Sequence, residues 1–239
     1  MLIGKVKENF NVDCDKQLAS THLISFLNPY SYLVMRKEKD IYMGIDSFYC
    51  DGILFAKAMQ LTGKKYTRVS FDMTSIAPTV FHDAEKKGAL VYFVGSEPGV
   101  VEKAASYFYE LYPNLKLAGL RHGFFDSSSE RQAFLQELKL LSPDIVIVGM
   151  GAPAQEKFIV DLKNTGWEGV AYTCGGFLHQ TASSGTNYYP RWIDKFNLRW
   201  LYRMYDEPKL VKRYFVYYPL FVVMFTYDIV VFKFNKRQR

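Results

Sequence analysis

Apolar and polar positions along the chain alternate between short apolar runs and longer stretches with helical spacing. His22–Leu27, Ile41–Tyr49, Leu90–Val94, Leu115–Gly119, Asp144–Val148 and Val170–Thr173 read as strands, and residues 2–7 as a further short one. Between them the spacing predicts helices over Tyr30–Lys37, Ile53–Leu61, Thr74–Lys87, Pro98–Tyr112, Ser129–Leu141 and Pro153–Asn164, with another near Asp15–Thr21. Strands that alternate with helices in this way predict an α/β fold: a Rossmann-like parallel sheet with right-handed crossovers, flanked by helices.

The run Ile145-Val-Ile-Val148 is continuous rather than alternating, which suits a strand covered on both faces. It leads into Gly149-Met-Gly-Ala-Pro-Ala-Gln-Glu156, where Gly149 and Gly151 permit a sharp turn and Pro153 suits the first turn of a helix. Ligands of open α/β sheets bind at the carboxyl ends of the strands, so this turn is expected to line the crevice. Asp51, followed by Gly52, stands at a second strand-to-helix junction. A carboxylate there can take a proton from an attacking hydroxyl, although Asp-Gly is also an ordinary turn pair.

Composition adds a boundary near Gly185. The 239 residues carry a net charge of +6, but residues 191–239 hold eleven Lys/Arg against four Asp/Glu, a net +7 that leaves −1 for the rest. A chain with 49% hydrophobic residues supplies a core for a domain over residues 1–185. Residues 186–239 read as a basic, aromatic helical appendage, expected to meet an anionic partner. Within it, residues 214–233 form a nearly continuous apolar run interrupted by Pro219 and Asp228 and flanked by Lys212, Arg213, Lys233 and Lys236. A bilayer span, a buried soluble helix and docking at the membrane interface all remain open; the aromatics and flanking cations favour docking, and the apolar run favours a membrane over nucleic acid.

Other chemistries find little support. Gly149-x-Gly-x-x-Ala154 approaches the dinucleotide fingerprint, but no ribose-binding acid follows at the expected spacing; neither Gly-x-x-x-x-Gly-Lys-Ser/Thr nor Gly-x-Ser-x-Gly occurs. His22, His82, His122 and His179 lack metal-ligand spacing, and Cys14, Cys50 and Cys174 suggest neither a disulfide framework nor a zinc site. No metal or cofactor is expected. Asp13-Cys-Asp15 has the spacing of metal-binding carboxylates, yet no hydrophobic strand leads into it, and it reads as a solvated loop. His122 and His179 each follow a predicted strand and read equally well as crevice residues or structural histidines. The charged amino terminus does not read as a signal peptide, so the catalytic part is expected in the cytosol.

Several stretches, in order and spacing, resemble the WecG/TagA/CpsF family of bacterial glycosyltransferases. They are Asn28-Pro29, Asp51-Gly52, Arg68-Val-Ser-Phe-Asp72, Val94-Gly95 with Pro98-Gly99, Tyr112-Pro113, His122-Gly-Phe-Phe125, Val148 to Glu156, Gly175-Gly176, Trp200-Leu-Tyr-Arg203, Glu207-Pro208 and Arg213-Tyr214. The resemblance implies an inverting, metal-independent transfer of an N-acetylmannosamine-like or related sugar from a UDP-sugar to a polyprenyl-diphosphate-linked sugar. It implies a peripheral enzyme on the cytoplasmic face of the bacterial membrane, engaged in cell-surface polysaccharide synthesis. By the same resemblance Asp51 is the general base, Gly149, Gly151, Gln155 and Glu156 are sugar-nucleotide contacts, and Arg203 and Arg213 are diphosphate ligands from the appendage. Asn28, Asp72, Gly175 and His179 join the substrate-binding set, with Arg191 added on charge alone. Phe26 stands where the family usually has Thr, and His179 where it commonly has Asp, which leaves the sugar open. A non-catalytic module that binds nucleotide or anionic lipid is the alternative, and an oligomer is compatible with the sequence.

Overall fold

A computed structural model describes residues 1–10, 21–185, 193 and 198–237. Six strands form one sheet in the order β2-β1-β6-β5-β3-β4, with every pairing parallel. They are β1 (His22–Leu27), β2 (Ser47–Cys50), β3 (Leu90–Gly95), β4 (Lys116–Arg121), β5 (Ile145–Gly149) and β6 (Val170–Thr173). The helices are α1 (Pro29–Met35), α2 (Lys39–Gly44), α3 (Ile53–Met59), α4 (Ala77–Lys87), α5 (Val100–Leu111), α6 (Ser128–Leu141), α7 (Ala154–Asn164), α8 (Phe177–Ser184), α9 (Arg199–Asp206) and α10 (Tyr218–Arg237).

The continuous apolar character of β5 follows from the two-residue period of a strand. Val146 and Val148 face one core layer with α1, α3, α6 and α7, whereas Ile145 and Ile147 face the other with α4, α5 and α8. β1 divides in the same way, with Leu23 and Leu27 against Ile24 and Phe26.

Two predicted strands differ from the fold. Residues 2–7 form a 3-10 turn over Leu2–Lys5, and Val6 alone bridges to Phe48. Lys5 instead caps the segment opposite, its Nζ donating to the carbonyls of Tyr42, Met43 and Ile45 at 3.1, 2.6 and 2.6 Å. The run Ile41–Tyr49 splits into α2 and the shorter β2, because Tyr42 and Ile45 bury at helical rather than alternating spacing. Gly44 permits this packing, since a Cβ there would lie 2.9 Å from Val160 of α7. The predicted helix near Asp15–Thr21 falls almost wholly outside the described residues, as does Asp13-Cys-Asp15.

The carboxyl-terminal helix α10 follows a π-helical turn at Arg213–Tyr217 and packs on α1. Phe221, Phe225, Asp228 and Ile229 form its buried stripe, at spacings that place them on one side of a helix. Phe221 and Phe225 meet Tyr32 edge-on at 5.6 and 5.3 Å between ring centroids. Asp228, the charge that weighs against a simple span, has partners: its carboxylate accepts from Tyr32 Oη at 2.7 Å and from Arg36 Nε and Nη2 at 2.9 and 2.8 Å. Burial pushes the Asp228 pKa up, but the hydrogen bonds from Arg36 and Tyr32, together with the Arg36 charge, hold it below the usual carboxylate range. Burial and the same carboxylate push the Tyr32 phenol up. Leu220, Val222, Val223, Tyr227, Val230 and Phe234 are exposed on the remainder of the helix. By length and composition, the 23 residues Arg213–Asn235 could cross a membrane.

Candidate active site

A cavity of about 1100 Å³ lies over the carboxyl ends of the strands. β1 and the residues after it contribute Phe26 and Asn28, the end of β2 Asp51, of β3 Ser96, of β4 Gly123, of β5 Gly149–Ala152 with Ala154 and Gln155, and of β6 Thr173 to Gly176. The wall toward α10 carries Trp200, Arg213, Tyr214, Phe215 and Tyr218. The Gly149 turn and Asp51, separate junctions in the chain, therefore border the same space.

Asn28 is placed by helix capping. Its Oδ1 accepts from the backbone N–H groups of Tyr30 and Ser31, both at 3.0 Å, and the Ser31 hydroxyl accepts from the Asn28 N–H in a capping box. With that oxygen engaged, the group Asn28 can offer a ligand is its amide N–H. Asp51 is held at the end of β2 by its backbone N–H donating to Leu27 O at 2.8 Å, and Gly52 turns the chain into α3 at φ 90°.

On the other side, Gly151 (φ 74°) and Gly175 (φ 55°) adopt left-handed backbone with open space where a side chain would project. The α7 amino terminus begins here after Pro153. The positive end of its helix dipole suits an anion such as a diphosphate. Gly95 permits the close approach of β3 and β5, because a Cβ on it would stand 2.3 Å from Gly149 O.

The expected site residues fall into three groups. Asn28, Asp51, Asp72, Gly149, Gly151, Gln155, Gly175, His179 and Arg213 line the cavity. Glu156 does not: it is fully buried below the floor, its Oε1 accepting from Ser25 Oγ and Gln155 Nε2 at 2.9 Å each. The expected sugar-nucleotide contact by Glu156 therefore does not fit its place, which is beneath the cavity-lining residues. Burial pushes its carboxyl pKa up, opposed by those two hydrogen bonds. Arg191 and the side chain of Arg203 lie outside what the structure describes.

Phe26 and His179, where the chain departs from the family pattern, both border the cavity. Asp72 also borders it, but its carboxylate is committed to local bonds: Oδ1 accepts from Thr74 N at 2.8 Å, and Oδ2 from Ser70 Oγ at 2.6 Å and Arg68 Nη2 at 3.1 Å. That network presents a cation missed in the sequence, Arg68, which lines the cavity and is brought beside Asp51 by the bridge between Cys50 and Arg68. A further signal was its place in the quoted stretch Arg68–Asp72, whose arginine is held at the cavity wall by Ser70 and Asp72. Arg213 enters from the α10 side, its guanidinium 4.3 Å above the Tyr30 ring centroid. His122 does not line the cavity; its Nδ1 accepts from Phe124 N at 3.3 Å, a structural role in the turn.

A carboxylate that shares a cavity with two arginines, a helix amino terminus and bare glycine backbone can deprotonate a hydroxyl next to a bound diphosphate. Among known proteins, the chain is 36% identical over 206 residues, 86% of each sequence, to UDP-Gal:alpha-D-GlcNAc-diphosphoundecaprenol beta-1,4-galactosyltransferase of Shigella boydii. It is 27% identical over 196 residues, 80% of this chain and 74% of the relative, to N-acetylglucosaminyldiphosphoundecaprenol N-acetyl-beta-D-mannosaminyltransferase of Bacillus subtilis (strain 168). The protein of the latter name from Staphylococcus aureus (strain NCTC 8325 / PS 47) is 32% identical over 123 residues, 52% of this chain and 47% of that one. Residues 8–235 match the glycosyl transferase WecG/TagA/CpsF family, and the chain belongs to that family.

Proposed function

We propose that this glycosyltransferase moves a hexose from a UDP-sugar to the sugar of a polyprenyl-diphosphate acceptor, with inversion at the anomeric carbon. The observation that carries the reading is the convergence of Asp51, the Asn28 amide, the Gly149–Gln155 turn and Arg213 on one cavity at the root of α10. In the proposed step the acceptor hydroxyl oxygen bonds to the anomeric carbon of the donor while the bond from that carbon to the UDP oxygen breaks. Asp51 takes the hydroxyl proton, and UDP leaves with the electron pair. Arg68, Arg213 and the α7 amino terminus meet the diphosphate charge. The 36% identity to the Shigella boydii galactosyltransferase across 86% of each chain puts UDP-galactose first among donors and N-acetylglucosaminyl-diphosphate lipid first among acceptors.

The test combines purified full-length protein, a panel of UDP-sugars and a short-chain polyprenyl-diphosphate N-acetylglucosamine. Transfer with release of UDP is expected, fastest with UDP-galactose. UDP-sugar binding without transfer to any acceptor would return the chain to the non-catalytic reading.

The same proposal gives residues 1–185 the donor site and assigns membrane docking and completion of the site to residues 186–239. Since α10 has one side seated on α1 and Asp228 tied to Arg36, its exposed apolar side is suited to lie in the interface rather than cross the bilayer. The basic segment fits the anionic cytoplasmic leaflet, near which each Lys or Arg contributes about 1 kcal/mol. Val223 and Val230 are each 62% exposed on this side. Val223→Glu combined with Val230→Glu is expected to lower partitioning onto phosphatidylglycerol-containing vesicles at least about tenfold, with the thermal midpoint within about 2 °C of wild type. Unchanged partitioning in a vesicle flotation assay would remove this helix from the membrane contact.

A further inference from the structure

Beneath the cavity floor lies a carboxyl that the proposed reaction leaves without a role. Glu156 is 0% exposed, and while Oε1 receives two hydrogen bonds, Oε2 has no partner. The network around it links three elements: Thr173 Oγ1 of β6 donates to Ser25 Oγ of β1 at 2.9 Å, Ser25 donates to Glu156, and Gly175 N donates to Gln155 Oε1 at 3.1 Å.

The proton directions in this network are determined by chemistry. A backbone N–H only donates, so the Gln155 atom facing Gly175 is the oxygen, and the amide nitrogen faces Glu156. That nitrogen has two hydrogens; Glu156 holds one, and the other remains for the cavity that Gln155 lines. Ser25 spends its single proton on Glu156, and Thr173 spends its own on Ser25. The hydroxyl oxygen of Thr173, a cavity-lining residue that is 1% exposed, therefore keeps only acceptor capacity. Glu156 Oε1 accepts as part of the carboxylate, and equally as the carbonyl oxygen of a carboxyl protonated on Oε2, so these directions hold in both of those forms.

We propose that Glu156 is a positioning residue: through Gln155 and Ser25 it presents one amide N–H and one hydroxyl oxygen to the donor sugar in fixed orientation. The N–H suits a sugar or phosphate oxygen, and the Thr173 oxygen receives a sugar hydroxyl. This inference rests on the UDP-sugar reading of the cavity and adds a specificity floor to it. A catalytic-base role for Glu156 is ruled out by its depth.

The decisive experiment is a double-mutant cycle in the full-length enzyme. Glu156→Met keeps the length of the side chain and removes the strong acceptor. It is expected to raise donor KM about tenfold, the loss of roughly one hydrogen bond, with acceptor KM within about twofold. Gln155→Ala is expected to raise donor KM similarly, and adding Glu156→Met to it should raise donor KM clearly less than Glu156→Met does alone, since only the arm through Ser25 and Thr173 is then left for Glu156 to hold. Glu156→Gln retains a carbonyl oxygen at the Oε1 position and should stay within about threefold of wild type. Should Glu156→Met fail to fold, Ser25→Ala takes its place, with a rise in donor KM of at least about threefold that vanishes in the Thr173→Val background, because Ser25 acts through the Thr173 hydroxyl. Additive effects, or equal changes in both KM values, would overturn the positioning role. Absence of transfer by the wild-type enzyme with every donor would overturn the underlying reading instead.

Discussion

Asp51→Asn is expected to lower kcat by about 10²- to 10⁴-fold, the usual worth of a positioned general base, while UDP-sugar still protects the protein thermally. The substitution keeps the size of the side chain and its hydrogen-bonding reach but removes the proton acceptor. The substitution leaves the backbone placement intact: the Asp51 N–H donates to Leu27 O, and Gly52 supplies the turn into α3. Donor and acceptor KM should therefore stay within about threefold of wild type, so that the loss falls on the chemical step. Single-turnover transfer with saturating donor measures that step directly. A fall in kcat of less than about tenfold would assign the proton to another group.

Much of this site was visible in the chain as a pattern. The alternation of strands and helices placed both Asp51 and the Gly149 turn at strand ends, and a parallel sheet brings such ends to one side. What stayed hidden depends on contacts that no local period encodes. Gln155 and Glu156 are neighbours in the first turn of α7, yet one lines the cavity and the other points beneath it, since successive helical residues are rotated by about 100°. Arg68 belongs to an irregular segment joined to the sheet by a single bridge at Cys50, and no strand period extends to it. The run Ile41–Tyr49 was short enough to fit either period, and burial of Tyr42 and Ile45 decided for α2. In α10 the sequence displayed a lone acid within an apolar run, but its partners Tyr32 and Arg36 lie 196 and 192 residues away.

That distant pairing supports the largest expected effect on stability. Asp228→Ala strips the counter-charge from Arg36 and the acceptor from Tyr32 at the contact between α1 and α10. Breaking a fully buried pair costs about 3–5 kcal/mol; with 25% and 11% side-chain exposure for Arg36 and Asp228, about 2–3 kcal/mol is the corresponding expectation. For a chain of this size that lowers the thermal midpoint by about 4–12 °C. Arg36→Leu together with Asp228→Leu should recover most of the loss, because the double change leaves no unpaired charge at the contact. The pH dependence has a defined sign. The folded-state pKa of Asp228 is depressed, so the pair contributes its full stability above the unfolded carboxyl value of about 3.9 and loses it as pH falls further, through the folded value. Wild-type stability should therefore decline in that acid window more steeply than that of the Leu/Leu variant, as measured by thermal unfolding across pH. Because α1 begins at the Asn28 cap in the cavity and leads at its other end to Arg36, loosening α10 should also reduce transfer by Asp228→Ala at temperatures well below its midpoint. A thermal midpoint within about 1 °C of wild type, or a double variant less stable than both single ones, would show that the aromatic contacts of Phe221 and Phe225 hold α10 without the ion pair.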